Sequence, residues 1–212
     1  MDERPQSRVE EVANSLSHGC GLLAAVVAAP VLIYAAAHQG SVANVVAACV
    51  FSLTMALLYL SSTLYHALPP GRAKRVFAKI DHCAIYLFIA GSYTPFALGV
   101  LHGAWGWSLF GVIWGLAAFG LVLKVFDRLS HPLLSTGLYL AMGWLVLVAA
   151  VPLLERVSAD GVLWLVAGGL SYTAGVVFFL TDSRMRFGHF IWHLFVMAGS
   201  TCHFFAVFWY AA

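Results

Sequence analysis

Charge is what this sequence has least of. Asp, Glu, Lys and Arg make up 9% of its 212 residues, whereas 62% are apolar, a balance that excludes an ordinary soluble globular domain. Cysteine is sparse as well: Cys20, Cys49, Cys83 and Cys202 all fall in apolar stretches, and no Cys-x-x-Cys pair occurs. That argues against a disulfide framework and against thiolate metal ligation. Nothing forms the basic, aromatic-rich surface of a nucleic-acid binder, so no nucleic-acid partner is expected. The amino-terminal tail carries charges of both signs and lacks an apolar core ahead of a small-residue cleavage site. No removable signal peptide is therefore expected, and the first helix serves as the insertion signal.

The few charges are clustered. They leave charge-free stretches at residues 12–71, 82–123, 129–154, 161–181 and 187–212. A crossing needs about 20 apolar residues, so the first two stretches hold two helices each and the other three hold one each. Internal breaks are supplied by His38-Gln39-Gly40-Ser41 and by Gly99 through Trp107. The expected fold is all-α: a polytopic membrane protein with a seven-transmembrane helix bundle at about 16–37, 42–66, 82–101, 104–124, 132–154, 162–181 and 188–211. Residues 1–15 read as a short cytosolic tail and 16–212 as a single domain. No internal repeat is visible and seven helices do not halve, which argues against an inverted-repeat transporter.

Orientation follows from Lys and Arg, which short cytosolic loops retain. Arg4, Arg8, Arg72, Lys74, Arg75, Lys79, Lys124, Arg128, Arg184 and Arg186, ten of the eleven basic residues, fall on one side, and only Arg156 falls on the other. The amino terminus should face the cytosol and the carboxyl terminus the outside. The net charge of +2 and the pI near 8.4 reflect this retention.

Ionisable groups at membrane depth are expensive and mark function. Six of the nine histidines, His18, His66, His82, His131, His189 and His193, fall at the expected cytosolic ends of helices, and His38, His102 and His203 lie toward the other side. His189 and His193 stand at i and i+4, on one helix face. His66 lies about six residues, roughly 9 Å, from Arg72, and His193 lies about seven residues, roughly 10 Å, from Arg186. Three imidazoles thus meet at one depth. Three neutral His ligands with an open fourth position describe a catalytic zinc site. Asp81, expected at the start of the third helix, either accepts a hydrogen bond from a water at the ion or only favours the helix dipole. Whether it contacts zinc directly or through water is open. Ser62, one turn from His66, either points into the same cavity or bonds back to the carbonyl of residue 58. Glu11, Asn14 and His18 share a face at i, i+3 and i+7 and suggest a structural role behind the metal ligands, although Asn14 also suits a cap and Glu11 a solvated charge. His82, His131 and His203 are read as ordinary interfacial or buried residues, His203 lying nearly on the face of His189, where it can line a cavity above the metal.

Glu11-x2-Asn14-x3-His18, then Ser62-x3-His66 followed by Asp81, then His189-x3-His193 together resemble the three-motif signature of the progestin and adipoQ receptor family. The segment HFIWHLFVMAGSTCHFF is similar to the bacterial haemolysin III branch. The resemblance spans essentially the whole chain. It implies seven helices with a cytosolic amino terminus in a bacterial plasma membrane, zinc held by His66, His189 and His193, and Asp81 acting through a water. It also implies kinship with alkaline ceramidases, hence hydrolysis of a lipid amide or ester. The chain departs from the receptor branch in its short tail, so no folded cytosolic effector-binding domain is expected.

Three functions compete. The leading one is zinc-dependent action on lipid acyl or amide bonds, with membrane lipids as partners, Asp81 as general base and Ser62 assisting the oxyanion. The second is a non-enzymatic sensor or regulator of membrane composition with structural zinc. The third, a pore-forming cytolysin, ranks lowest, because a constitutively inserted bundle does not look like a secreted toxin.

Overall fold

In lipid every backbone N–H must find its acceptor within the segment, so long apolar stretches fold as helices. The structure, a computed structural model, describes residues 4–38, 41–129 and 131–212. Among them are seven helices long and apolar enough to cross a membrane: α1 Arg8–His38, α2 Val42–Ala67, α3 Arg72–Leu101, α4 Gly103–Val125, α5 Pro132–Arg156, α6 Ala159–Thr181 and α7 Gly188–Tyr210. The expected count holds. Gln39 and Gly40, in the first expected break, lie outside the described residues. The second break falls at His102 and Gly103, both with positive φ (46° and 54°).

Two helices begin well before their expected starts. α1 begins at Arg8 rather than 16, because Ser7 and Glu10 form a reciprocal cap: the Ser7 N–H donates to Glu10 Oε2 at 2.9 Å, and the Glu10 N–H faces Ser7 Oγ at 3.4 Å. α3 begins at Arg72 rather than 82, directly after Pro69-Pro70-Gly71, so most of the expected basic loop is helix. In both cases the extension is polar. Hydropathy reads only the part of a helix that lipid surrounds, and these turns lie beyond it.

Two helices change pitch inside the span. Pro95 has no N–H to give the carbonyl of Gly91, and α3 widens into a π-helix over Pro95–Leu101. α5 tightens into a 3₁₀ segment over Trp144–Ala149. The Tyr93 hydroxyl serves this tightening, donating to the carbonyls of Met142 (2.8 Å) and Gly143 (2.7 Å) and accepting from the Val146 N–H at 2.9 Å. Arg156, the one basic residue at this end, donates to the carbonyls of Val100 and Leu101, where the π-helix stops.

The core lies around α2 and α3, where Phe51, Tyr86 and Ile113 are fully buried. α1 packs on α2 and α7, and α6 packs on α7. α1 approaches α2 closely because Gly21 has no side chain; a Cβ there would meet the Tyr59 ring at 2.7 Å. α5 meets α3, α4 and α6 only lightly, leaving space at the centre of the bundle.

Candidate metal centre

The cap that starts α1 places its first turns against the end of α2 and the start of α7. Glu10 is buried and accepts from Arg4 (2.7 and 2.8 Å) and from the Phe187 N–H at 2.8 Å, while Arg4 also reaches the Met185 carbonyl. The hydrogen bond with this carboxylate raises the Arg4 pKa. One residue on, Glu11 Oε2 accepts from His66 Nδ1 at 2.7 Å, and its other oxygen pairs with Lys74 at 3.0 Å. On the opposite wall, His189 Nδ1 donates to Asp182 Oδ2 at 2.8 Å. His193 Nδ1 lies 3.2 Å from the Asn14 carbonyl and 3.0 Å from Ser17 Oγ, whose own hydrogen goes to the same carbonyl at 2.8 Å.

These partners set the tautomers. Carboxylates and carbonyls only accept, so each Nδ1 carries its proton and each Nε2 keeps a lone pair. One candidate ligand atom from each of His66, His189 and His193 lies within 4.8 Å of the others. Their ring centroids are 4.7–5.1 Å apart. The buried His66 Nε2 has no hydrogen-bond partner among the described residues. Three oriented imidazole lone pairs meeting in a buried space form a donor set that can hold a metal ion, and zinc suits nitrogen ligands of this number.

Asp81 does not join that group, yet it is buried and lines the same cavity as Ser62, His189 and His193. It does not start a helix. Since α3 begins at Arg72, Asp81 sits in the third turn, beyond the reach of the terminal dipole, and that alternative for it falls away. The back-bond considered for Ser62 belongs to its neighbour: Ser61 Oγ donates to the Leu58 carbonyl at 3.0 Å, whereas the buried Ser62 Oγ makes no such back-bond and lies beside the Asp81 carboxyl. Asn14 is not the cap of α1; its carbonyl faces His193 and its side chain donates to Gln6. Glu11 is not a solvated charge, being paired with His66 and Lys74. His18 stacks on His193. His82, His131 and His203 also line the cavity.

Asp182 and Ser17 escaped the sequence reading. Asp182 had one signal, as the only acid in the segment that carries Arg184 and Arg186. Ser7-x-x-Glu10 was the legible sign of the early start of α1.

The cavity measures about 770 Å³ and runs from His189 and His193 toward Leu101 and Leu153 at the far end. Its walls are mainly apolar. Leu133, Leu147, Leu154, Val166 and Leu180 line it and are among the exposed large apolar residues. All five belong to α5 and α6, which form the apolar wall of the cavity opposite the core.

A profile of the family described as Haemolysin-III related matches residues 6–204. The chain is 44% identical over 210 residues to "Hemolysin-3" of Bacillus cereus, covering 99% of this chain and 95% of that protein. It is 44% identical over 201 residues to the "Hemolysin-3 homolog" of Bacillus subtilis, covering 95% and 94%. With the human "Monocyte to macrophage differentiation factor" it shares 29% identity over 212 residues, covering 95% and 84%.

Proposed function

The chain belongs to the haemolysin-III related family, and from that premise we propose that it is a zinc-binding membrane protein that hydrolyses an amide or ester bond of a membrane lipid. The observation that carries this reading is the position of the histidine centre. Three imidazoles with oriented Nε2 lone pairs meet where His189 and His193 line a large, mainly apolar cavity of a size to hold a lipid chain. Zinc bound there would supply a Lewis acid and lower the pKa of a water. Asp81 accepts the proton of the attacking water and returns it to the leaving amine or alcohol as the C–N or C–O bond breaks. Ser62 Oγ donates to the developing oxyanion, and the cavity walls hold the acyl chain and exclude bulk water. Purified protein should carry about one zinc per chain and release it on acidification, since the metal needs neutral imidazole. Lipid mass spectrometry of membranes incubated with the wild-type chain and with a His189→Ala control tests the reaction. Identical lipid profiles would refute it.

A second reading is favoured by the bracing. Glu11, Asn14 and Ser17 on α1 hold ligands on α2 and α7, so zinc there would also lock three helices together in a non-enzymatic regulator of membrane composition. Zinc without lipid turnover distinguishes it. A cytolytic role, suggested by the names of the Bacillus relatives, has less support, since seven long apolar helices suit permanent insertion rather than secretion.

For orientation, we propose that the histidine centre lies near the cytosolic face of a bacterial plasma membrane, because the basic residues cluster at that end of the bundle. A reporter joined after Ala212 should then read as external and one beside Lys74 as cytosolic. The reverse pattern would overturn this placement.

A further inference from the structure

His18 stands in the third turn of α1, only 3% exposed, on the wall of the cavity. Its ring is clamped. It stacks on His193 with centroids 3.5 Å apart and planes 10° apart, and it meets the edge of Tyr59 at 5.1 Å. The Tyr59 hydroxyl is itself fixed by a hydrogen bond with Ser200. Yet neither nitrogen of His18 completes a hydrogen bond of good geometry among the described residues, the His193 backbone only approaching the ring, in contrast to the three neighbouring imidazoles, each held at Nδ1. A neutral imidazole carries one donor and one acceptor, and leaving both unmade in a lipid-embedded core is costly. The stacking needs no nitrogen, since a phenyl ring would serve it equally well. The nitrogens therefore answer to whatever fills the cavity.

We infer that His18 is a ligand-binding residue, giving a hydrogen bond to the polar linkage of an acyl amide or ester lodged beside the histidine centre. This rests on the lipid reading above. Ser62 lines the same cavity beside Asp81, so α1 and α2 each bring a polar side chain to this end of it. The occupant consequently places its linkage, rather than its hydrocarbon, at this end.

The test uses the full chain in nanodiscs and an N-dodecanoyl ethanolamide bearing a fluorophore at the chain end. His18→Phe should keep the zinc content and melting temperature of the wild type yet bind the probe about 10-fold more weakly, and His18→Gln, which restores a donor and an acceptor, should recover most of that loss. Unchanged binding by a zinc-loaded His18→Phe protein overturns the inference. Loss of zinc in that variant overturns it too, because the ring would then be a brace for His193. A wild-type chain that holds zinc but ignores the probe removes the lipid reading itself and His18 with it, so the wild-type arm separates the two failures. Should His18→Phe not fold, the imidazole ¹⁵N resonance of the wild type that vanishes in His18→Gln must shift when probe is added, and an unmoved resonance overturns the inference.

Discussion

Asp81→Asn is expected to leave zinc in place while lowering lipid hydrolysis by at least about 10²-fold, the lower end of what a general base contributes. The side chain keeps its size, and Asp81 lies outside the group of atoms that meet within 4.8 Å, so the metal retains its three imidazoles. What disappears is the capacity to take a proton from water. Metal analysis and single-turnover hydrolysis on the same preparation read the two effects separately. If zinc leaves with the carboxylate, Asp81 is a direct ligand. If neither quantity moves, the proposed base is wrong, and because the helix-start role is already excluded by the extension of α3 to Arg72, the hydrolytic mechanism would need another acceptor near the centre.

The second large effect concerns the metal. His189→Ala with His193→Ala removes two of three ligands and should abolish stoichiometric zinc, since a structural or catalytic site needs at least three protein donors. Asp182→Ala should do part of this from outside the site. It leaves His189 Nδ1 without its acceptor at 2.8 Å, frees the ring to turn and lowers its basicity, which weakens metal binding by about 10–100-fold. Competitive chelation measures both. An Asp182→Ala protein with wild-type affinity would show that the loop acid does not orient the ligand, while full occupancy in the double histidine variant would place the metal elsewhere.

The sequence disclosed the seven crossings because their signal is length of apolar run, a property that survives any error in packing. It disclosed the meeting of His66, His189 and His193 for a different reason: i,i+4 spacing and equal distance from the basic boundary together define a depth and a face. What it hid has physical causes. The first turns of α1 and α3 are polar helix, invisible to hydropathy, and misplacing the start of α3 is what made Asp81 look like a helix-terminal residue. Asp182 acts across a turn of chain that no periodicity governs. Of the two pitch changes, the one at Pro95 carried a residue that cannot complete a helix, but the one at Trp144–Ala149 is stabilised by Tyr93 from another helix, and nothing local announces it.

The bracing of the histidine centre also sets a time of assembly. The hydrogen bonds of His193 to Ser17 and to the Asn14 carbonyl join residues 176 and 179 positions apart, and that from the Phe187 N–H to Glu10 spans 177. Chains are made and inserted from the amino terminus, so α1 and α2, which carry Glu11 and His66, are made before the five further helices. Only when α7 arrives do the second and third imidazoles appear, and the closure of that long loop is what the bound ion would reward. A nascent chain stalled before Gly188 has one of the three histidines of the centre, so metal uptake there would report completed synthesis.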